Sequence, residues 1–308
     1  MNSKTTIAIV TFKRPAHLER LLVSIQKQTL LPVRVLVVDN EPQQSAKVIC
    51  QQPQFNTLPI TYLTQNGTVP HCRNLALKKT KTTYLGFIDD DCVLDKNWLQ
   101  AGLGKITTQH WEYVLGKTKL LNPENIVAAA QHARDAYWKK YNDHIFDTKN
   151  VIIDLKKINH HQLLFDENCQ SSFYDSADFD FDFQVYHSRL AGGNCSKMVV
   201  SHQETNRLYR YLKRAYHRGK LAKYLDEKWQ QQGRLSGGKD KFFIWWLLHT
   251  LKNFTQTYQQ YSPFYEIKES TPSIRLILKK LTATIFIRLF DRYYALGYSQ
   301  KTKIDRAK

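Results

Sequence analysis

Short apolar runs alternate with amphipathic segments over the first part of the chain. Two segments between the runs, 17–28 and 71–80, place apolar residues at the spacing of a helix. Regular alternation of this kind predicts an α/β fold with a doubly wound, mostly parallel sheet flanked by helices, whose ligands bind at the carboxyl ends of the strands. The Val-, Ile- and Leu-rich runs, which are typical of buried parallel strands, span residues 4–12, 33–39, 59–65 and 83–89.

Farther along the chain the alternation weakens and a different kind of segment follows. We predict a helix at 126–141. The last third is basic, aromatic and helical in pattern, with Tyr and Leu interleaved with Arg and Lys at 208–225 and at 275–294. The sequence therefore predicts an α/β domain over 1–202 and a basic, mainly helical region over 203–308.

The net charge of +18 is concentrated in that last third. Residues 197–308 carry 23 Lys and Arg against 8 Asp and Glu. Such a segment suits an anionic partner, such as nucleic acid, acidic lipid headgroups or substrate phosphates, although a solvated basic surface gives the same count. The apolar runs at 242–248 and 281–287 are shorter than the roughly 18–20 residues that span a bilayer, so we expect peripheral membrane attachment rather than a transmembrane helix.

The cysteines and the N-terminal segment indicate the compartment. All five cysteines stand singly and their number is odd, which argues against a disulfide framework or a zinc ribbon and favours a reducing environment. The first residues lead into an apolar strand without the basic segment and cleavage site of a signal peptide. We therefore expect a cytoplasmic protein.

Polar side chains follow several of the predicted strands at the point where each ends. Thr11 and Arg14 follow the first run, Asp39 the second, and the acidic triplet from Asp89 to Asp91 the fourth. The ends of parallel strands meet at one sheet edge, so these side chains should converge. Asp89 and Asp91, which share a face of an extended chain, are hard oxygen ligands suited to Mg²⁺ or Mn²⁺. A solvated acidic loop or a helix N-cap would give the same triplet.

Other residues extend this candidate site. Asp39 can accept the ring N–H of a uracil-type base or bind ribose hydroxyls, and it can also simply form a turn. Arg73 can bind phosphate or pair with the acidic triplet. Asp178, Asp180 and Asp182 alternate with phenylalanines, so on a strand they would line one face and offer a general base, or form the polar face of an edge strand.

Along residues 5–220 the chain contains, in order, the segments IAIVTFKRPAHLERLLVSI, VLVVDNE, RNLAL, FIDDDCVLDKNWL at 87–99, NVIIDL, FDE, the Asp-Phe repeat, RLAGG and LKRAYHRG. In this order the segments resemble glycosyltransferase family 2, and in particular the bacterial exopolysaccharide and lipopolysaccharide enzymes of the succinoglycan-transferase type. The most specific of them is FIDDDCVLDKNWL.

The resemblance implies a GT-A fold, a nucleotide-diphospho-sugar donor and a divalent metal. In the family pattern the segments around Thr11 and Asp39 hold the nucleoside. Arg14 and Asp90 belong to the same nucleotide-sugar-binding site. Asp89 contacts the nucleotide, Asp91 holds the metal and Arg73 lies near the donor. The family's general base lies in a Glu-Asp-x-Asp-Phe motif, and this sequence lacks the Glu of that motif. Spacing from the Ala-Gly-Gly at 191–193 makes Asp180 the base and Asp182 its partner, with Asp178 as the alternative, and Cys92 stands where the family often has an acidic residue.

Together these observations predict an inverting glycosyltransferase of cell-surface polysaccharide synthesis. Its donor would be a UDP-sugar before GDP- or dTDP-sugars, and its acceptor a glycan or a lipid-linked sugar at an anionic membrane surface, with no nucleic acid partner. Two alternatives stay open: a basic nucleic-acid-binding protein with a metal-dependent acidic site, and a non-catalytic relative that binds sugar nucleotides.

Overall fold

The computed structural model describes residues 4–141, 146–171, 174–175, 177–231, 254–265 and 274–300, so the apolar run at 242–248 lies outside the described residues. The chain divides into two compact units. Unit 1 comprises Met1–Lys119, Asp143–Glu167 and Ala177–His202, and unit 2 comprises Leu120–Asn142, Asn168–Ser176 and Gln203–Lys308.

Unit 1 is built on an eight-stranded mixed sheet. Strands β1 to β4 are parallel neighbours in the order β3-β2-β1-β4, which confirms the alternating pattern of the N-terminal sequence. The order continues β7-β6-β10-β5, and the pairings β4–β7, β7–β6 and β10–β5 are antiparallel. The strands are β1 (Thr5–Thr11), β2 (Arg34–Asp39), β3 (Ile60–Thr64), β4 (Tyr84–Asp89), β5 (Cys92–Leu94), β6 (Tyr113–Leu120), β7 (Val151–Asp154) and β10 (Gly192–His202).

Helices cover the sheet of unit 1 because their apolar residues recur on one side. In the first helix, Pro15 occupies the first turn and the buried Leu18, Leu21, Leu22 and Ile25 follow at helical spacing. They join a core with Ile7, Val35 and Trp98, among others. The helices of unit 1 are α1 (Pro15–Gln26), α2 (Ser45–Cys50), α3 (Val69–Lys79), α4 (Trp98–Thr108), α6 (Leu155–His160) and α7 (Ala177–His187), with a 3₁₀ turn at Pro53–Phe55.

The Asp-Phe repeat forms helix α7 instead of the expected strand. Asp178 and Asp180 lie in its first turn, where carboxylates interact favourably with the helix dipole. Ala177, Phe181 and Val185 recur every fourth residue and are buried. This helical burial pattern outweighs the period-two alternation of the sequence.

Unit 2 is mainly helical and includes a segment that the sequence placed in the first domain. Residues 120–142 and 168–176, which lie before the expected boundary at 202, group with the C-terminal region in unit 2. The reason is helix α5, whose Ala130 and Ala133 pack into one apolar cluster with Tyr261 and Ile287. Its elements are α5 (Ile126–Tyr141), the short pair β8 (Gln170–Ser171) and β9 (Tyr174–Asp175), α8 (Leu208–Gln231), α9 (Phe254–Tyr261), a 3₁₀ turn at Ser262–Phe264, and α10 (Ile274–Ser299).

The two long helices of unit 2 cross at a pair of glycines. A Cβ atom on Gly219 of α8 would overlap the carbonyl oxygen of Tyr294, and one on Gly297 of α10 would overlap that of Tyr216. Only glycine permits so close a backbone approach. Within the described residues, no helix combines the length and the apolar character needed to cross a membrane.

Candidate active site

The acidic triplet, Asp89 to Asp91, lies at the carboxyl end of β4 and forms the centre of the candidate site. The hydroxyl of Thr11, at the end of the neighbouring strand β1, donates to Asp90 Oδ2 over 2.8 Å, and an Arg14 nitrogen lies 3.0 Å from Asp90 Oδ1. Burial raises the pKa of Asp90 to about 7, against the opposing effect of the Arg14 charge. Asp90 therefore ties the ends of β1 and β4 together, and Thr11 and Arg14 converge on the triplet as expected.

Asp91 faces a histidine that the sequence analysis missed. Asp91 Oδ1 lies 3.0 Å from His202 Nε2, and Asp91 Oδ2 lies 2.8 Å from Arg14. The pairing of β10 with β5 sets His202 opposite Cys92, directly after Asp91. His202 is the last residue of β10, which the sequence analysis did not predict as a strand. A polar residue at the end of a strand is the same signal that located Asp39.

The donor atoms at Asp91 fit a divalent ion. Adjacent ligands of an octahedral ion with bonds of about 2.1 Å lie about 3 Å apart, which matches the distance from Asp91 Oδ1 to His202 Nε2. A carboxylate with an imidazole favours Mn²⁺ more than Mg²⁺. Among the described residues, two clusters of possible metal ligands contain Asp91. One joins it to Cys92 and His202, and the other joins it to His17 and Asp90; Asp89 belongs to neither cluster. Burial raises the pKa of the Cys92 thiol well above its usual value, which makes Cys92 the poorer ligand.

Asp89 instead lies beside Arg73. An Arg73 nitrogen is 3.5 Å from Asp89 Oδ1, and the Arg73 side chain is only 7% exposed. Burial raises the pKa of Asp89, while Arg73 acts in the opposite direction. A guanidinium held this way places a fixed positive charge next to the triplet.

Asp39 is buried at the end of β2 with both carboxylate oxygens in use. Oδ1 accepts the backbone N–H of Glu41 over 2.9 Å, and Oδ2 accepts the hydroxyl of Tyr62 over 2.7 Å. Nearby, the Asn40 amide bonds both the N–H and the carbonyl of Gly67. Each carboxylate oxygen has a second lone pair, so Asp39 can accept a further hydrogen bond from a ligand.

The carboxylates of α7 point to two sides of the helix. Residues two apart on a helix are about 200° apart, so Asp180 and Asp182 cannot act as the adjacent pair that a strand would give. Asp180 is fully buried and accepts the amide of Gln184 over 2.7 Å. Asp178 is partly exposed. Asp182 accepts the N–H of Phe146 over 2.7 Å, and burial raises its pKa to about 7.

An aromatic chain of contacts links Arg73 to α7. The guanidinium of Arg73 lies over the ring of Phe165, which stacks on Phe181 of α7 at 4.3 Å. Asn74, next to Arg73, donates to the carbonyl of Phe165 and accepts its N–H, both over 2.9 Å. These contacts hold the aspartates of α7 in a fixed relation to α3 and the end of β4.

The comparison with known proteins decides the family. The family described as "Glycosyl transferase family 2" matches residues 6–156, which contain every strand-end residue named above except His202. These residues form a family 2 glycosyltransferase domain. The predicted family is thereby confirmed.

Curated relatives of the chain agree with this assignment. A hyaluronan synthase of Pasteurella multocida is 28% identical over 125 residues, covering 39% of this chain and 13% of that protein. Glycosyltransferase AglE of Haloferax volcanii is 24% identical over 131 residues, covering 41% and 43%. The chain thus spans less than half the length of these relatives.

Solved structures show the same fold. S. aureus TarS 1–349 in complex with UDP-GlcNAc matches with a TM-score of 0.53 and 16% identity, over 96% of this chain and 92% of that chain. The same TarS segment in complex with UDP matches with a TM-score of 0.52 and 14% identity, over the same shares. The expected GT-A-like fold is therefore confirmed.

Proposed function

We propose that this protein transfers a sugar from a nucleotide-diphosphate donor to a hydroxyl group of an acceptor, with inversion at the anomeric carbon. The observation that carries the proposal is the group of Asp91, His202, Arg14 and Asp39, which follow or end strands β4, β10, β1 and β2 of one sheet. All but His202 lie in the family 2 domain. In open α/β sheets, ligands bind at this edge.

The nucleoside would bind beside Asp39. Its buried carboxylate is oriented by Tyr62 and Glu41, so it presents an acceptor in a fixed direction to the ring N–H of a base. Uracil, thymine and guanine all offer such a donor, but the TarS structures were solved with UDP and UDP-GlcNAc. We therefore place UDP-sugars before GDP- and dTDP-sugars as donors.

The diphosphate would lie between Arg14, Arg73 and the Asp91–His202 pair. Asp91 and His202 would hold Mg²⁺ or Mn²⁺, which supplies positive charge for the departing diphosphate. Arg73, held by Asp89 and Phe165, adds a second fixed charge on the donor side. Asp90 positions this group, since Thr11 and Arg14 already occupy its carboxylate.

The general base would come from the first turn of α7. It takes the proton from the acceptor hydroxyl as the oxygen attacks the anomeric carbon and the bond to the diphosphate breaks. Sequence spacing favours Asp180, with Asp178 as the alternative. Exposure favours Asp178, because Asp180 is fully buried and bonded to Gln184. We therefore propose Asp178 as the base and assign Asp180 to holding the helix in place.

The acceptor would be a glycan or lipid-linked sugar of cell-surface polysaccharide synthesis, reached from the cytoplasmic membrane face. Support comes from α10, where Ile274, Ile277, Leu278 and Ile285 are exposed at helical spacing. Arg275, Lys279 and Lys280 lie among them. Apolar residues flanked by basic ones suit an anionic lipid surface.

Vesicle co-sedimentation tests the membrane part of the proposal. Wild-type protein should sediment with vesicles of phosphatidylglycerol and phosphatidylcholine, and Leu278→Asp should reduce the bound fraction severalfold. Val48→Asp, at another exposed apolar position, is the control. Equal sedimentation of all three proteins would remove α10 from the proposal.

Nucleotide release tests the transferase activity itself. The wild type, given Mn²⁺, a UDP-sugar panel and bacterial membranes as acceptor source, should release UDP from one donor. Asp91→Ala should release almost none. Release that does not depend on Asp91, or no release with any donor, would contradict the proposed reaction.

A further inference from the structure

A cavity in unit 1 lies away from the strand-end group. It is open to solvent on one side and has a volume of about 650 Å³, within the range of small-ligand sites. Its walls come from α7 and from the beginnings of β6 and β10. The side chains that give it chemical character are Trp111, Tyr113, Asp182, Tyr186, His187 and Arg189.

The pairing register separates this cavity from the donor site. Tyr113 of β6 pairs with Ile153 of β7, which also pairs with Leu85 of β4. Tyr113 is therefore level with Leu85, near the beginning of β4. Asp89 lies four residues farther along that strand, which is about 13 Å at the usual rise per residue. The cavity thus lies toward the opposite edge of the sheet from the acidic triplet.

The walls of the cavity are fixed by backbone contacts. The Glu112 N–H donates to the carbonyl of Ala191 over 2.7 Å, and the Ala191 N–H donates to the Glu112 carboxylate over 2.9 Å. A Cβ on Gly193 would lie 2.9 Å from the Trp111 ring, and one on Gly192 would overlap the ring of Tyr113. The two glycines allow the chain to pass close to both rings, so the cavity has a defined shape.

The lining combines flat rings with charged hydrogen-bonding groups. Aromatic rings suit the apolar C–H face of a pyranose. Asp182, whose Oδ1 accepts the Phe146 N–H, retains a second oxygen to accept hydrogen bonds from sugar hydroxyls. Arg189 and His187 supply donors for ring or hydroxyl oxygens. Because an acidic residue and basic residues both line the cavity, it suits a neutral polyhydroxyl ligand better than a phosphate or an acyl chain.

We propose that this cavity, which we call the β6–β10 pocket, binds a sugar residue of a glycan at a site distinct from the donor site. It gives Asp182 a binding role in place of the role as partner of the base that the sequence suggested. The proposal does not depend on the transferase reaction. A protein that bound glycan at the pocket without transferring sugar would leave it intact.

A glycan array with matched variants tests the β6–β10 pocket. The probes are immobilised oligosaccharides containing glucose, galactose, N-acetylglucosamine or N-acetylgalactosamine. Wild-type protein should bind at least one of them, and Tyr186→Ala and Asp182→Asn should each weaken that binding at least tenfold. Tyr186 is 68% exposed, so its truncation should leave the fold intact.

The controls separate the pocket from the donor site. Tyr209→Ala, which removes another exposed ring, and Asp91→Ala should bind the glycan like the wild type. Tyr186→Ala should keep the wild-type thermal response to UDP and Mn²⁺. No binding to any probe, binding unchanged in both pocket variants, or binding lost in Asp91→Ala would overturn the proposal.

Discussion

Asp91 Oδ1 and His202 Nε2 lie 3.0 Å apart, although 111 positions separate the two residues in the chain. The antiparallel pairing of β10 with β5 creates this contact by setting His202 opposite Cys92. A carboxylate and an imidazole at this separation are suited to be neighbouring ligands of one divalent ion. We therefore predict that both side chains contribute to metal affinity.

Replacing His202 by Ala should weaken Mn²⁺-dependent UDP binding at least about tenfold, since one ligand of the proposed ion is lost. Isothermal calorimetry with UDP at several Mn²⁺ concentrations measures the effect. His160→Ala, an exposed histidine of α6, should bind like the wild type. Unchanged Mn²⁺ dependence in His202→Ala would exclude His202 as a ligand.

Asn substitutions of the two candidate bases should have different effects. Asp178→Asn should lower kcat by about 10²- to 10⁴-fold and leave UDP binding intact, because only proton removal is lost. Asp180→Asn, at a fully buried position bonded to Gln184, should act mainly on stability. Steady-state kinetics with thermal unfolding of both variants distinguishes the roles. A folded but inactive Asp180→Asn beside an active Asp178→Asn would assign the base to Asp180.

Asp182 should make stability depend on pH. Burial raises the pKa of its carboxyl to about 7 in the folded protein, above the usual value of 3.8. A carboxyl with a raised pKa favours the folded state when protonated, so this stabilisation is lost as the pH rises from about 4 to 7. The Tm of Asp182→Asn minus that of the wild type should therefore increase over this range and stay level above it.

Glu124→Gln, at an exposed carboxylate, is the control for this pH series and should show no comparable trend. Melting curves from pH 4 to pH 8 measure all three proteins. A Tm difference for Asp182→Asn that is constant with pH would show that Asp182 titrates normally in the folded protein.

The crossing of α8 and α10 should not tolerate a methyl group. Gly219→Ala and Gly297→Ala should each lower the free energy of unfolding by about 1–3 kcal/mol or more, because the added Cβ overlaps a backbone carbonyl. Gly104→Ala in α4, where nothing lies within 4 Å of the added atom, should instead stabilise by about 0.5–1 kcal/mol. Denaturant unfolding measures both effects, and equal changes at Gly104 and Gly219 would contradict the close crossing.

The sequence predicted the part of the site that depends on local pattern. Parallel strands place their carboxyl ends at one edge, so the positions of Thr11, Asp39 and Asp89 followed from the apolar runs alone. His202 was missed because its position depends on an antiparallel pairing with β5 from a distant part of the chain. No local pattern specifies such a pairing, and β10 was not among the predicted strands.

The Asp-Phe repeat is a segment where the alternation of polar and apolar residues predicts the wrong secondary structure. Alternation of Asp and Phe suggested a strand, but the burial of Ala177, Phe181 and Val185 at every fourth residue favours a helix. Both periods were present in the sequence, and tertiary burial decided between them. The contacts of Phe181 with Phe165 and Phe146 supply that burial. The helix places Asp178 and Asp182 on one side and Asp180 on another.

A thermal-shift panel tests the central claim most directly. UDP-, GDP- and dTDP-sugars would be added with and without Mn²⁺ to the wild type, Asp91→Ala and His202→Ala, with His160→Ala as control. We predict Mn²⁺-dependent stabilisation of the wild type and the control by one nucleotide class, UDP-sugars first, and its loss in both site variants. Stabilisation that survives in Asp91→Ala and His202→Ala, or no response of the folded wild type to any donor, would contradict a nucleotide-sugar site at this edge of the sheet.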